Sequence, residues 1–193
     1  RRHGLVLSNM LLNRIRTRTF KGTGQTSSLA YHYSGNTIWP VSVSRSFGEG
    51  PQTTLFTLDR YDERGNLLQS TDPNGISTTY LWGYGGTRLV AEIRNATYQQ
   101  VANVLGQARI DAMTDRITLS ESDIAALEGL RSAAALGDTQ ITTYTHHPIF
   151  GVTSRTDPRG VRTSYFYDET GRIKEIVDDA GNPVVAYDYK YRK

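Results

Sequence analysis

Four-residue segments of the form Asp-x-x-Gly return along this chain at an almost fixed interval, too short for anything but one strand and one turn. They include Asp62-Glu63-Arg64-Gly65, Asp72-Pro73-Asn74-Gly75, Asp157-Pro158-Arg159-Gly160, Asp168-Glu169-Thr170-Gly171 and Asp178-Asp179-Ala180-Gly181. The marker glycines are Gly65, Gly75 and Gly86 in one set and Gly160, Gly171 and Gly181 in the other, so consecutive markers stand ten or eleven positions apart. A strand of about 5–7 residues and a turn of 3–4 fill such a step, and two steps close an antiparallel hairpin. Glycine supplies positive φ, proline presets a negative φ, and the aspartate side chain accepts from nearby backbone N–H groups. Gly65, Asp72, Gly75, Gly86, Asp157, Gly160, Gly171, Asp178 and Gly181 are therefore read as turn-forming residues. A repeat of this kind points to an extended assembly before it points to an active site.

Between turns the pattern alternates. Val161, Thr163, Tyr165 and Tyr167 fall on one face of a strand and Arg162, Ser164, Phe166 and Asp168 on the other, and Ile76, Thr78, Tyr80 and Trp82 keep the same phase after Gly75. Tyr61, Tyr80, Tyr165, Tyr167 and Tyr187 recur near the strand ends and are read as structural, with cross-strand aromatic ladders as their expected packing.

One segment breaks the rhythm. Tyr98, Val101, Ala102 and Leu105 follow helical spacing, with Asn95 opening the segment and Gly106 as a stop. Ser120-Glu121-Ser122-Asp123 has the form of a capping box, leading into a second helix through Ile124, Leu127, Leu130, Arg131 and Ala134 to Gly137. The marker spacing is interrupted between Gly86 and Gly160, and taking out positions 96–137 leaves close to three strand-turn steps between them. The sequence thus predicts a mainly β fold of antiparallel hairpin repeats forming a curved or spiralling sheet. Its divisions are a β-repeat sheet over 1–94, a two-helix insertion over 95–137, and a sheet resuming in register over 138–193 from the strand Ile141-Thr142-Thr143-Tyr144-Thr145.

In wording and order, Tyr61-Asp62-Glu63-Arg64-Gly65-Asn66-Leu67-Leu68, Tyr80-Leu81-Trp82-Gly83-Tyr84, Asn95-Ala96-Thr97-Tyr98, and Thr153 through Gly160 to Gly171-Arg172-Ile173 resemble the YD-repeat or RHS proteins, in particular the large RHS proteins of Bacteroidetes-type bacteria. The resemblance covers about residues 40–193. It implies a shell-like sheet in a large secreted or cell-surface protein, enclosing a C-terminal toxin cargo or presenting an adhesive surface. It also implies an internal repeat segment lacking the C-terminal core. The partners it implies are neighbouring repeats or a partner strand at the sheet edges, a toxin cargo, or a cell-surface glycan.

Composition narrows the remaining classes. There are no cysteines, which excludes disulfides and thiolate metal sites, and no apolar run of about 20 residues that could span a bilayer. Leu5-Val6-Leu7 is too short for a signal-peptide core. The +3 net charge is unevenly spread: residues 1–48 hold seven Lys/Arg and no acid, leaving 15 basic against 19 acidic residues in the rest. Arg14, Arg16 and Arg18 alternate with Ile15, Thr17 and Thr19 on one strand face. Tyr31, Tyr33 and Trp39 lie nearby, yet the block reads as a solvated or contact face rather than a nucleic-acid surface.

Catalytic constellations are sparse. No nucleophile elbow, zinc-protease motif or phosphate loop is present, and His146 and His147, as strand neighbours, point to opposite faces and do not converge on one metal. No catalytic residue, metal ligand or cofactor is assigned. Asp157-Pro158-Arg159-Gly160 resembles the self-cleavage motif of toxin-carrying RHS proteins, but Val161 replaces the leucine of that motif and no Asn-Pro element precedes it. The same tetrapeptide form occurs at Asp72, an ordinary repeat position, so it reads as a turn. The second functional reading is a glycan- or surface-binding module. It would use exposed aromatic faces, with Trp39 and Tyr84, beside turn-like residues, as the contact candidates. A self-cleaving or glycan-degrading enzyme is the third.

Overall fold

The computed structural model describes residues 16–34 and 37–189. Arg14, Ile15, Leu5-Val6-Leu7 and Tyr191-Arg192-Lys193, which bear on the sequence-based expectations, lie outside the described residues. The chain divides into two units, Arg1–Ser77 and Thr78–Lys193.

The first unit is a meander of β1 (Arg16–Lys21), β2 (Gly24–Tyr33), β3 (Pro40–Phe47), β4 (Thr53–Tyr61) and β5 (Leu67–Thr71), each paired antiparallel with the next. Its buried residues are small: Ser28, Ala30, Ser44, Ser46 and Ser70. Their hydroxyls satisfy one another and their neighbours. Ser28 and Ser46 are 2.9 Å apart, His32 Nε2 lies 2.7 Å from the Ser44 hydroxyl, and Ser44 donates to Gln52 at 2.8 Å. Arg16 and Arg18 sit opposite Ala30 and Ser28, on a strand whose six residues are all exposed.

The second unit contains β6 (Ser77–Gly83), β7 (Arg88–Arg94), β8 (Gln140–His147), β9 (Gly151–Thr156), β10 (Arg162–Tyr167), β11 (Ile173–Val177) and β12 (Pro183–Ala186), again antiparallel in sequence order. β7 and β8 are direct neighbours, with Arg94 opposite Gln140, so the long segment joining them leaves and re-enters the sheet at adjacent points.

That segment holds three α-helices, where the sequence predicted two: α1 (Tyr98–Leu105), α2 (Gln107–Asp115) and α3 (Glu121–Gly129), followed by single 3₁₀ turns over Leu130–Ser132 and Ala134–Leu136. Gly106, at φ 83°, ends α1 by donating to the Ala102 carbonyl and at once starts α2, so the stop is also a start. Capping boxes at Thr97/Gln100 and Ser120/Asp123 open α1 and α3. The apolar sides of the helices meet the sheet: Leu81, Val90, Ala91, Ile93 and Ile141 are buried with Val101, Ile110, Met113, Leu127 and Leu130. Gly83 marks a close approach, since a Cβ there would lie 2.8 Å from Val90 and 3.2 Å from Leu119.

Candidate functional site

The repeat turns are chemically uniform. After Asp62, Asp72, Asp157, Asp168 and Asp178 the same two backbone bonds form: the glycine N–H donates to the aspartate carbonyl at 2.9–3.1 Å, and the aspartate N–H donates to the residue four on at 2.8–3.0 Å. Gly65, Gly75, Gly160, Gly171 and Gly181 take φ between 80° and 87°. This is the three-residue hairpin loop, a type I turn closed by a left-handed glycine. The carboxylate completes it. Asp62 Oδ1 accepts from Arg64 and Asn66 N–H, and Asp72, Asp157 and Asp168 accept from the equivalent pairs. The N–H of Val161 and then of Arg159 hold the Asp157 carboxyl below its usual range. Those of Arg172 and Asn182 do the same, first among the causes, for Asp168 and Asp178.

Gly86 belongs to a different kind of turn. No aspartate opens it, and Tyr84, Gly85 and Gly86 take φ of 55°, 70° and 73° in succession. Their donors reach the helical segment: Gly85 N–H bonds to Arg116 O and Gly86 N–H to Thr114 O, both at 2.9 Å.

The tyrosines act at the ends of hairpins away from the turns. Tyr61 donates to Pro40 O at 2.8 Å, Tyr167 to Val152 O at 2.7 Å and Tyr189 to Ile173 O at 2.8 Å. The first two bonds join the last residue of one strand to the first residues of its antiparallel partner and close the mouths of hairpins β3–β4 and β9–β10, and Tyr189, three residues past β12, reaches the first residue of β11 and closes β11–β12. Burial, assisted by Tyr33, pushes the Tyr61 hydroxyl up to about 12, which keeps it a donor. A second ring packs at a tilt at two of these mouths. Trp39 lies 6.0 Å from Tyr61, and Phe150 lies 5.8 Å from Tyr167. The same rings cover the next turn's glycine: a Cβ on Gly65 would sit 2.6 Å from Trp39, and one on Gly171 2.9 Å from Phe150. At the third mouth the Arg172 guanidinium lies 4.0 Å from the Tyr189 ring.

Across β6–β7 and β10–β11 the register does not align the tyrosines with one another. In register, Tyr80 faces Glu92, Trp82 faces Leu89, Tyr165 faces Ile176 and Tyr167 faces Ile173. Tyr187 instead stacks on Tyr189, two residues along, at 6.1 Å. The mouth closures were hidden from the sequence because Trp39 and Phe150 belong to loops with no shared motif.

Trp39 and Tyr84, the glycan-contact candidates, are both half-buried and engaged. Trp39 covers Gly65, while Tyr84 accepts the His146 N–H at 2.8 Å and packs edge-on to its imidazole at 5.3 Å. His146 Nε2 reaches Leu89 O at 2.8 Å, whereas His147 Nδ1 accepts from the Ile149 and Phe150 N–H groups. Among the described residues no group of three His, Cys, Asp or Glu could hold a metal ion.

Sequence reasoning also passed over Arg131, which it placed only as one position of a helix. Its guanidinium bonds Glu128 at 2.7 Å, Ile141 O at 2.7 Å, Asp157 O at 2.8 Å and Thr156 O at 3.3 Å. It therefore ties the end of α3 to β8 and to a repeat turn. Asp123 is 2% exposed and pairs with Arg116. Burial alone would raise its carboxyl, but bonds from Ser120 and Arg116 outweigh that and hold it below the usual range. A cavity of about 220 Å³ lies beside α3, lined by Glu128, Thr143, Ser154, Arg162 and Asp179 among others. Glu128 is already engaged there by Arg131 and Thr143.

Asp-x-x-Gly hairpins of one geometry, two of them tied at the mouth by a tyrosine, define a β-hairpin repeat architecture. Residues 61–99 and 151–183 match the family model of the RHS repeat. No curated protein matches the sequence. Among solved structures it is similar to a crystal structure of TcdB2-TccC3-Cdc42, at 15% identity and a TM-score of 0.43 over 89% of this chain. It is also similar to one of TcdB2-TccC3, at 16% identity and 0.41 over 89%. The chain spans 7% of the length of each of those chains.

Proposed function

We propose that this segment is a non-catalytic length of wall in a large exported RHS protein, and that the wall encloses a cargo. The reading rests on one observation above others: the polar groups that recur with the repeat are spent on backbone. Five aspartates satisfy turn N–H groups, and three tyrosines close hairpin mouths. The division into sheet over 1–94, helical insertion over 95–137 and resumed sheet over 138–193 belongs to the same proposal, as does the purely structural role of the turn and tyrosine residues. Neighbouring repeats are then the partners at the sheet edges, and no cofactor is required. The half-buried contacts of Trp39 and Tyr84 favour structure over glycan binding at those positions. No helix among the described residues is long and apolar enough to cross a membrane.

Electron microscopy of the complete protein containing this segment, combined with limited proteolysis, tests the reading. A closed wall around a protease-resistant downstream segment is expected. An open array, or a downstream segment digested as fast as it is in isolation, overturns it.

A further inference from the structure

We propose that His146 is a proton-sensitive latch holding the helical segment against the sheet, so that mild acidification releases that segment while the Asp-x-x-Gly hairpins stay intact. The geometry starts at the imidazole. Nε2 carries a proton and donates to Leu89 O at 2.8 Å, whereas Nδ1 is buried with no hydrogen-bond partner. A second proton would have to sit on Nδ1, with no acceptor to receive it.

Of the groups acting on the ring, only the Leu89 carbonyl favours that charge. Arg88 on β7 repels it, and the Tyr84 ring lies nearly perpendicular to the imidazole at 5.3 Å. No described carboxylate forms an ion pair with it. Burial, reinforced by Arg88, accordingly lowers its proton affinity despite the Leu89 bond.

Strain at this point propagates along a continuous set of bonds. The His146 N–H holds the Tyr84 hydroxyl, and Tyr84 occupies φ 55°, a conformation that a non-glycine residue keeps only when its contacts enforce it. The same turn sends the Gly85 and Gly86 N–H groups to Arg116 and Thr114 at the end of α2, and Thr114 Oγ1 returns to Trp82 O at 3.0 Å. Arg116 then pairs with Asp123, whose carboxylate caps α3. Loss of the seat under Tyr84 therefore frees the end of α2 and unsettles the start of α3. The opposite anchor, Arg131 on Asp157 O, is separate from this set of bonds.

The direction follows from the lowered affinity. Neutral imidazole is the folded form, so the latch is fully engaged above the ordinary histidine pKa of about 6.5 and weakens as pH falls below it.

The test is NMR on the whole chain. The His146 ring would be titrated, and amide exchange of residues 98–136, normalised to intrinsic rates, followed from about pH 7.5 to 5. Expected are a His146 midpoint below that of an unstructured histidine and a roughly tenfold fall in protection of the helical segment. Protection at the Asp157, Asp168 and Asp178 turns should not change. H146Q should remove the pH dependence, whereas H147Q should retain it. A midpoint at or above the ordinary value, pH-independent protection, or an unchanged dependence in H146Q would each overturn the latch. The wild-type titration stands alone should H146Q fail to fold.

Discussion

At the scale of single residues, the repeat glycines are not equivalent. Gly75, Gly160 and Gly181 have open space where a Cβ would go, whereas Gly65 and Gly171 lie under Trp39 and Phe150. Backbone strain alone sets the cost of Gly75→Ala at about 1 kcal/mol. Gly65→Ala adds the overlap with an indole and should cost about 3 kcal/mol. Denaturant midpoints of the two variants compare them within one unit, and on a Trp39→Ala background the excess should vanish; equal costs would refute the role given to Trp39. Tyr61→Phe removes the donor to Pro40 O and should cost about 1 kcal/mol in the same assay.

At the scale of elements, the turns were legible in the sequence because every interaction that makes them is local. Asp, Pro and Gly each act within one short turn, so spacing alone exposes them. The helix α2 was missed for the converse reason. It has no side-chain cap, only Gly106, and it buries just Ile110 and Met113, too few positions to produce a clear helical period. Burial against the sheet, which no local pattern reports, stabilises it.

The turn carboxylates also have a pH consequence. Those of Asp157, Asp168 and Asp178 are held below the usual range, so they contribute stability above about pH 4 that is lost as pH falls through their folded values. Asp168→Asn keeps an acceptor and removes one titration. The acid limb of a plot of Tm against pH should become shallower by about one proton. An unchanged limb would show that the carboxylate is not coupled to folding.

The helical segment depends on a different group. Arg131→Lys substitutes a point charge for a planar fork serving three carbonyls and Glu128, and should cost about 2–4 kcal/mol. Hydrogen exchange over 121–136 should report that loss, with the turn at Asp168 unaffected.

At the scale of the whole molecule, the fold class was readable and the organisation of its core was not. Alternation and turn spacing pointed to antiparallel hairpins throughout, yet the first unit buries serines while the second buries a helix-covered apolar layer. Small hydroxyl residues carry no hydrophobic period, so sequence pattern alone does not separate those two designs. The non-catalytic reading makes a simple demand on the intact chain: after prolonged incubation at neutral pH its mass should be unchanged, and a fragment ending beside Asp157 would refute it.

Closing three of the hairpins at both ends bears on how such a chain yields to force. A plain hairpin pulled by its two tails opens like a zipper, one weak pair at a time from the mouth. Here the first event must break a phenol bond and, at two mouths, drag an aromatic ring off its neighbour. Resistance is therefore greatest at the outset of each rupture, and a tether through this segment should give way in abrupt steps.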